Sequence, residues 1–129
     1  MRALIAASMR DMMPAAAGLP GIADTDLDGF LRRLRREADP IYYLGLVLGT
    51  WVHQLTPLFT VGVPLPALLL PRTLRERHAR RIVSTRLYLV RQAVFLVRLN
   101  AGMCWGQDPA VRAALHLEVY PADPGSFRA

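Results

Sequence analysis

From Ile41 to Pro71 the chain carries no Asp, Glu, Lys or Arg, and an uncharged stretch of that length must either be wrapped by protein or enter lipid. It is too interrupted to read as one membrane span. Gly45, Gly49, His53, Gln54 and Pro57, then Gly62, Pro64 and Pro66, divide it into a helix of about 15 residues and an irregular apolar loop. The expectation is a central helix buried by its neighbours. Insertion of residues 41–70 into a membrane, with the following arginines at the cytoplasmic face, is the alternative.

The flanking sequence supplies those neighbours. Leu4, Ile5, Ser8, Met9, Met12 and Met13 recur at helical spacing and Pro14 ends the run, which predicts a helix over 3–13. After a loop with Gly18, Pro20 and Gly21, the carboxylates of Asp24, Asp26 and Asp28 suit the start of a second helix, with Phe30, Leu31 and Leu34 on its apolar face and Asp39-Pro40 as its close. Thr73 and Glu76 have the spacing of a capping box, so a long helix is expected to start there. Val83, Leu87, Val90, Val94, Val97, Ala101 and Cys104 form its packing stripe. Asp108-Pro109 opens a short last helix through Leu115, and residues 119–129 read as a terminal arm. At 129 residues this is one domain: an all-α bundle of four to five helices, one of them long and in the C-terminal half.

Charge is unevenly distributed. Residues 1–40 balance six Arg against six acids, whereas residues 72–98 hold eight Arg and only Glu76. Beside the packing stripe, Arg77, Arg81, Ser84, Tyr88, Arg91, Phe95 and Arg98 fall on a second one that mixes guanidinium groups with aromatics, the combination that carries binding energy at protein interfaces. Arg77, Arg81, Tyr88, Arg91, Phe95 and Arg98, with Tyr120 and Phe127 of the arm, are therefore the candidate partner-binding residues. A solvated face is the bland reading of that stripe, and nucleic acid or phospholipid ranks below protein because no recognition motif accompanies the cations.

Chemistry-bearing motifs are sparse. Asp24-Thr-Asp26-Leu-Asp28-Gly29 copies the start of a calcium loop, but the twelfth position is Arg35 where a bidentate carboxylate is required, so capping is the preferred role. His53, His78 and His116 have no metal-ligand spacing, and His53 is expected to be hydrogen-bonded in the core. Cys104, the single cysteine, is expected to be a small buried apolar side chain. No phosphate or dinucleotide loop occurs, and no catalytic, cofactor-binding or metal residue is expected in this chain. Arg10 and Asp11 interrupt the first apolar run before it reaches signal-peptide length, so residence in the cytoplasm, free or at the membrane periphery, is the default expectation.

Two sets of residues resemble a known family. The first is ALIAASMRDMMP from Ala3 to Pro14, then Gly18-Leu-Pro20-Gly21 and Asp28-Gly-Phe30-Leu31; the second is Arg75-Glu-Arg77, Ser84, Arg91 and the run Met103-Cys-Trp105-Gly-Gln-Asp108-Pro109-Ala-Val111 on to Leu115. They are similar to the subunit 3 family of gluconate 2-dehydrogenase, and to the helical N-terminal region of some bacterial alcohol oxidases. The resemblance implies a small accessory subunit without catalytic residues. It also implies a large partner of the glucose-methanol-choline oxidoreductase type, which would hold FAD and oxidise an alcohol or sugar.

Overall fold

The structure, a computed structural model, describes residues 1–16 and 18–117. Among the described residues seven helices follow one another: α1 (Arg2–Met12), α2 (Leu27–Glu37), α3 (Pro40–Leu55), α4 (Pro57–Val61), α5 (Arg72–Val83), α6 (Tyr88–Gly106) and α7 (Pro109–Ala114). Short 3-10 turns lie at Ile22–Asp24 and Ala67–Leu69, and there is no strand among the described residues. The fold is all-α. Tyr120 and Phe127, with the rest of the expected terminal arm, lie outside the described residues.

Local chemistry accounts for most helix boundaries. The carboxylates of Asp26, Asp39 and Asp108 each accept from backbone amides in the first turn of α2, α3 and α7, and α3 and α7 begin on Pro40 and Pro109, whose missing N–H costs nothing there. The expected capping box does not form. Pro71, in extended conformation, takes the cap position and places Thr73 inside the first turn, while Glu76 turns to Arg72 at 2.9 Å. The long helix lies in the C-terminal half as expected, but it starts at Tyr88 and not at Thr73. Between α5 and α6 the hydroxyl of Ser84 bonds back to the carbonyls of Arg80 and Arg81, and that of Thr85 accepts from the amide of Leu87. These side chains offer the backbone an alternative to the helical ladder, and the helix stops.

α3 and α6 form an antiparallel pair at the centre. Asn100 donates to the hydroxyl of Tyr42, Leu96 lies against Gly45, and Ala93 and Val97 lie against Gly49, so ascending positions on α3 meet descending positions on α6. One side of this pair is covered by α1, α2 and α5. Ile5, Met9, Leu27, Leu31, Leu46, Val97, Ala101 and Cys104 form the main core there, and Trp105 ties the loop before α2 to α6 through the carbonyl of Pro20. Of the predicted packing stripe, Val94, Val97, Ala101 and Cys104 are buried, whereas Leu87, in the break, is 67% exposed.

The approach at Gly49 leaves no room for a side chain. A methyl group there would press into the backbone carbonyl of Ala93, which cannot move without displacing α6, whereas at Gly45 it would meet only the tip of Leu96 at 3.1 Å. Gly49→Ala is expected to lower unfolding stability by about 2 kcal/mol, despite the higher helix propensity of alanine, and Gly45→Ala by less than ~1 kcal/mol. Urea denaturation of the two variants checks this ordering; equal stabilities would mean that the helices are not in close contact at Gly49.

Candidate docking surface and buried histidine pair

The side of α3 turned away from the core is apolar too. Ile41, Leu44, Leu48, Trp51 and Leu55 are each between 44 and 80% exposed. At the 100° turned per residue of an α-helix they share a sector about 80° wide, set off to the opposite side of the α6 contact from Leu46, Thr50 and His53. Leu58 and Phe59 on α4 and Leu68 and Leu69 in the second 3-10 turn are exposed as well. On α6, Tyr88, Phe95, Leu99 and Met103 are likewise exposed, on the side of that helix opposite its buried stripe. Because the helices run antiparallel with their cores on a common side, the two bare faces also share a side. The result is a two-helix layer covered on one surface only. Rows of large apolar side chains exposed on adjoining helices differ from the singly scattered ones normal for a monomer.

The predicted binding residues sit at the edge of this layer. Arg91 lies over the ring of Tyr88 at 5.8 Å, and with Val83, Gln92, Phe95 and Arg98 it lines a groove of about 290 Å³. Phe95 and Arg98 also border a second, longer groove with Met13, Phe30, Leu99 and Gly102. Arg77 and Arg81 are exposed, but they belong to α5, beyond the break, so the predicted stripe is not one continuous helix face. The guanidinium of Arg81 is engaged by the carbonyl of Thr60. The α3 face escaped the sequence reading because that helix is apolar all round. Its signal was the alternation of three and four in the spacing of its largest exposed side chains.

The would-be calcium loop is used for capping. Asp24 accepts from the amide of Gly21 and Asp26 from that of Gly29, while Arg35, at the discordant twelfth position, lies over Tyr43 at 4.6 Å. Among the described residues no group of three His, Cys, Asp or Glu side chains is placed to hold a metal. Cys104 is buried beside Thr25, and burial raises its thiol pKa.

His53 and His78, 25 residues apart in sequence, are both wholly buried and stack with ring centroids 4.8 Å apart. His53 Nε2 is 3.3 Å from Asp11, as expected of a hydrogen-bonded core histidine, and Asp11 in turn lies 3.6 Å from Arg75. His78 Nε2 is 2.8 Å from the carbonyl of His53, which can only accept, so that nitrogen carries the proton and Nδ1 is left to accept from the hydroxyl of Thr60. This pairing joins α1, α3, α4 and α5, and only the neutral tautomer of His78 meets both partners as donor and acceptor. Neither imidazole reaches solvent, so the cluster has the form of an internal tether and not of an open catalytic site.

Burial holds the His78 pKa down at about 4 from its usual 6.5. Below pH 6.5 the unfolded chain therefore takes up a proton that the folded chain refuses, and stability is lost progressively until about pH 4. The loss should reach on the order of 3 kcal/mol. The thermal midpoint should fall across that window, and His78→Gln should flatten the dependence while lowering the midpoint at neutral pH. A wild-type midpoint that stays level from pH 7 to 4 would contradict this assignment.

Compared with protein families, with curated proteins and with solved structures, the chain matches none.

Proposed function

We propose that this chain is a non-catalytic binding subunit that docks onto a larger protein through the uncovered surface of α3 and α6. The observation that carries this reading is the exposed row Ile41, Leu44, Leu48, Trp51 and Leu55 on a helix whose other side is already packed. Burying the part of these five side chains that remains exposed contributes on the order of 1 kcal/mol each before the costs of association, so the row supplies a share of the binding and the exposed α6 face would add to it. The aromatic and arginine edge at Tyr88, Arg91, Phe95 and Arg98 adds the side chains most often found as anchors at interfaces.

The family resemblance supplies a candidate for the partner: an FAD-dependent alcohol or sugar dehydrogenase of the glucose-methanol-choline type, with the flavin and the chemistry in that larger subunit. Co-expression with a flavoprotein of this type encoded beside the chain's own gene is the test. The expected outcome is a complex of defined stoichiometry in which the flavoprotein gains soluble yield and thermal stability. The chain on its own should self-associate or bind an apolar dye. A chain that alone is a monodisperse monomer without dye binding, and that forms no complex, would overturn the proposal.

A membrane-peripheral protein is the second reading, favoured by the confinement of Ile41 to Leu69 to an uncharged segment followed by the arginines of α5. No helix among the described residues is long and apolar enough to cross a membrane, so any such contact would be with the surface layer. Co-sedimentation with anionic vesicles but not with flavoprotein would favour it.

A further inference from the structure

We infer that the groove where α6 meets Met13 and Phe30 is a binding site for a free fatty acid, with the carboxylate held at Arg98 and Arg91 and the alkyl chain running over Gly102 toward Gly106. The site does not rest on the docking role proposed above, although it draws on some of the same α6 side chains.

The groove has the size and lining of a small-molecule site. Its volume is about 880 Å³, and such sites span roughly 300–1,000 Å³ with mostly apolar walls and few polar groups. Phe30, 8% exposed, belongs to its floor; Phe95, Leu99 and Met103 on α6, 40 to 53% exposed, belong to its rim. Met13 and Met103 add flexible side chains that can adapt to an alkyl chain.

Two glycines keep the groove open. A side chain at Gly102 would stand in ordinary contact with the end of Met13 at 3.5 Å, and one at Gly106 would meet nothing within 4 Å. The chain's own packing therefore requires neither glycine, yet Gly102 lies inside α6, where glycine weakens the helix. Both line the groove, and larger side chains would fill it.

Charge and polarity select the occupant. No acid lines the groove, and it shares Phe95 and Arg98 with the smaller groove that contains Arg91. Arg91 and Arg98 are about two turns apart on α6, roughly 10 Å along its axis, and flank this junction. Arg98 has no ion-pair or hydrogen-bond partner among the described residues, and Arg91 meets only the ring of Tyr88. A carboxylate placed there gains charge-assisted hydrogen bonds from guanidinium groups that no acid of this chain occupies. From Arg98 onward α6 offers apolar side chains and glycine over about 13 Å, until Gln107 closes the far end. An extended peptide in that stretch would leave its inward amides without partners, whereas an alkyl chain has none to satisfy. A second copy of the chain would bring its own excess of +6 to the same guanidinium groups.

Isothermal titration calorimetry of the isolated chain tests the site, with sodium decanoate, decanol and decyltrimethylammonium as probes, each kept below micelle formation or saturation. Decanoate should bind saturably at one site per chain, about tenfold tighter than decanol or more, and the cation should not bind. Arg98→Gln should cut that preference for decanoate about fivefold or more. Gly102→Leu, which fills the groove, and Met103→Glu, which sets a carboxylate on its exposed rim, should each weaken decanoate by about tenfold or more in chains whose circular dichroism matches the wild type. If Gly102→Leu does not fold, Met103→Glu decides alone. Absence of saturable binding, or binding that survives these groove substitutions, overturns the site. Equal affinity for decanoate and decanol overturns the placement of the carboxylate, and binding to phosphatidylglycerol vesicles without binding to decanoate assigns the surface to a membrane instead. The flavoprotein complex is read separately by co-purification, so either proposal can fail while the other stands.

Discussion

The close contact of α3 with α6 at Gly49 is the constraint from which the rest of the architecture follows. With no side chain on α3 at that point, its backbone comes against the Ala93 carbonyl, and the surfaces that the pair turns to either side become two separate layers. One layer takes Leu46, Val97, Ala101 and Cys104 into the core with α1 and α2. The other is left with Leu44, Leu48, Phe95 and Leu99 facing outward. Wider spacing, with a larger residue at Gly49, would open a gap between the helices into which those outer side chains could turn. Tight pairing is thus what keeps the outer face flat and unburied.

Polar contacts decide which side of α3 faces inward. Hydrophobicity alone cannot, since the helix is apolar nearly all round. Thr50, His53 and Gln54 are the exceptions, and all three are buried. Gln54 donates to the hydroxyl of Ser8 and accepts from the amide of Leu68; His53 reaches Asp11 and offers its carbonyl to His78. Turning α3 to hide Leu44 and Leu48 would leave these groups with wrong or absent partners; each such loss costs about as much as fully burying an aliphatic side chain gains, and Leu44 and Leu48 are already about half covered. The histidine and glutamine contacts therefore hold the hydrophobic seam at the surface.

The sequence disclosed the parts of this fold that depend on neighbours in the chain. Asp26 and Asp108-Pro109 mark helix starts through groups two or three residues away, Asp39-Pro40 marks the close of the second helix and proves also to open the third, and Val94, Val97, Ala101 and Cys104 mark the core of α6 by their spacing. What stayed hidden depends on competition or on distance. Ser84 and Thr85 can sit in a helix or end one, and the apolar stripe running through them gave no sign that their hydroxyls would win. His53 and His78 meet only after α3 and α5 have packed, so no spacing rule connects them. On α3 the apolar pattern was plain but its division into an inner and an outer side was not, because that division is set by the buried polar partners.

The same division leaves a largely uncharged apolar surface open on one side of the molecule. Seams of leucine on a protein without charge nearby invite indiscriminate association, and the uncharged segment provides no acid or base to prevent it. The guanidinium groups of Arg91 and Arg98, beside Phe95 on α6, bring cations to one flank of the exposed surface, and the net charge of +6 makes copies of the chain repel at long range. That repulsion is screened over about 8 Å at physiological salt, so it acts on the approach of another copy and adds little to a contact once made. Charge therefore biases which molecules approach this surface, whereas its apolar side chains are indifferent to sign.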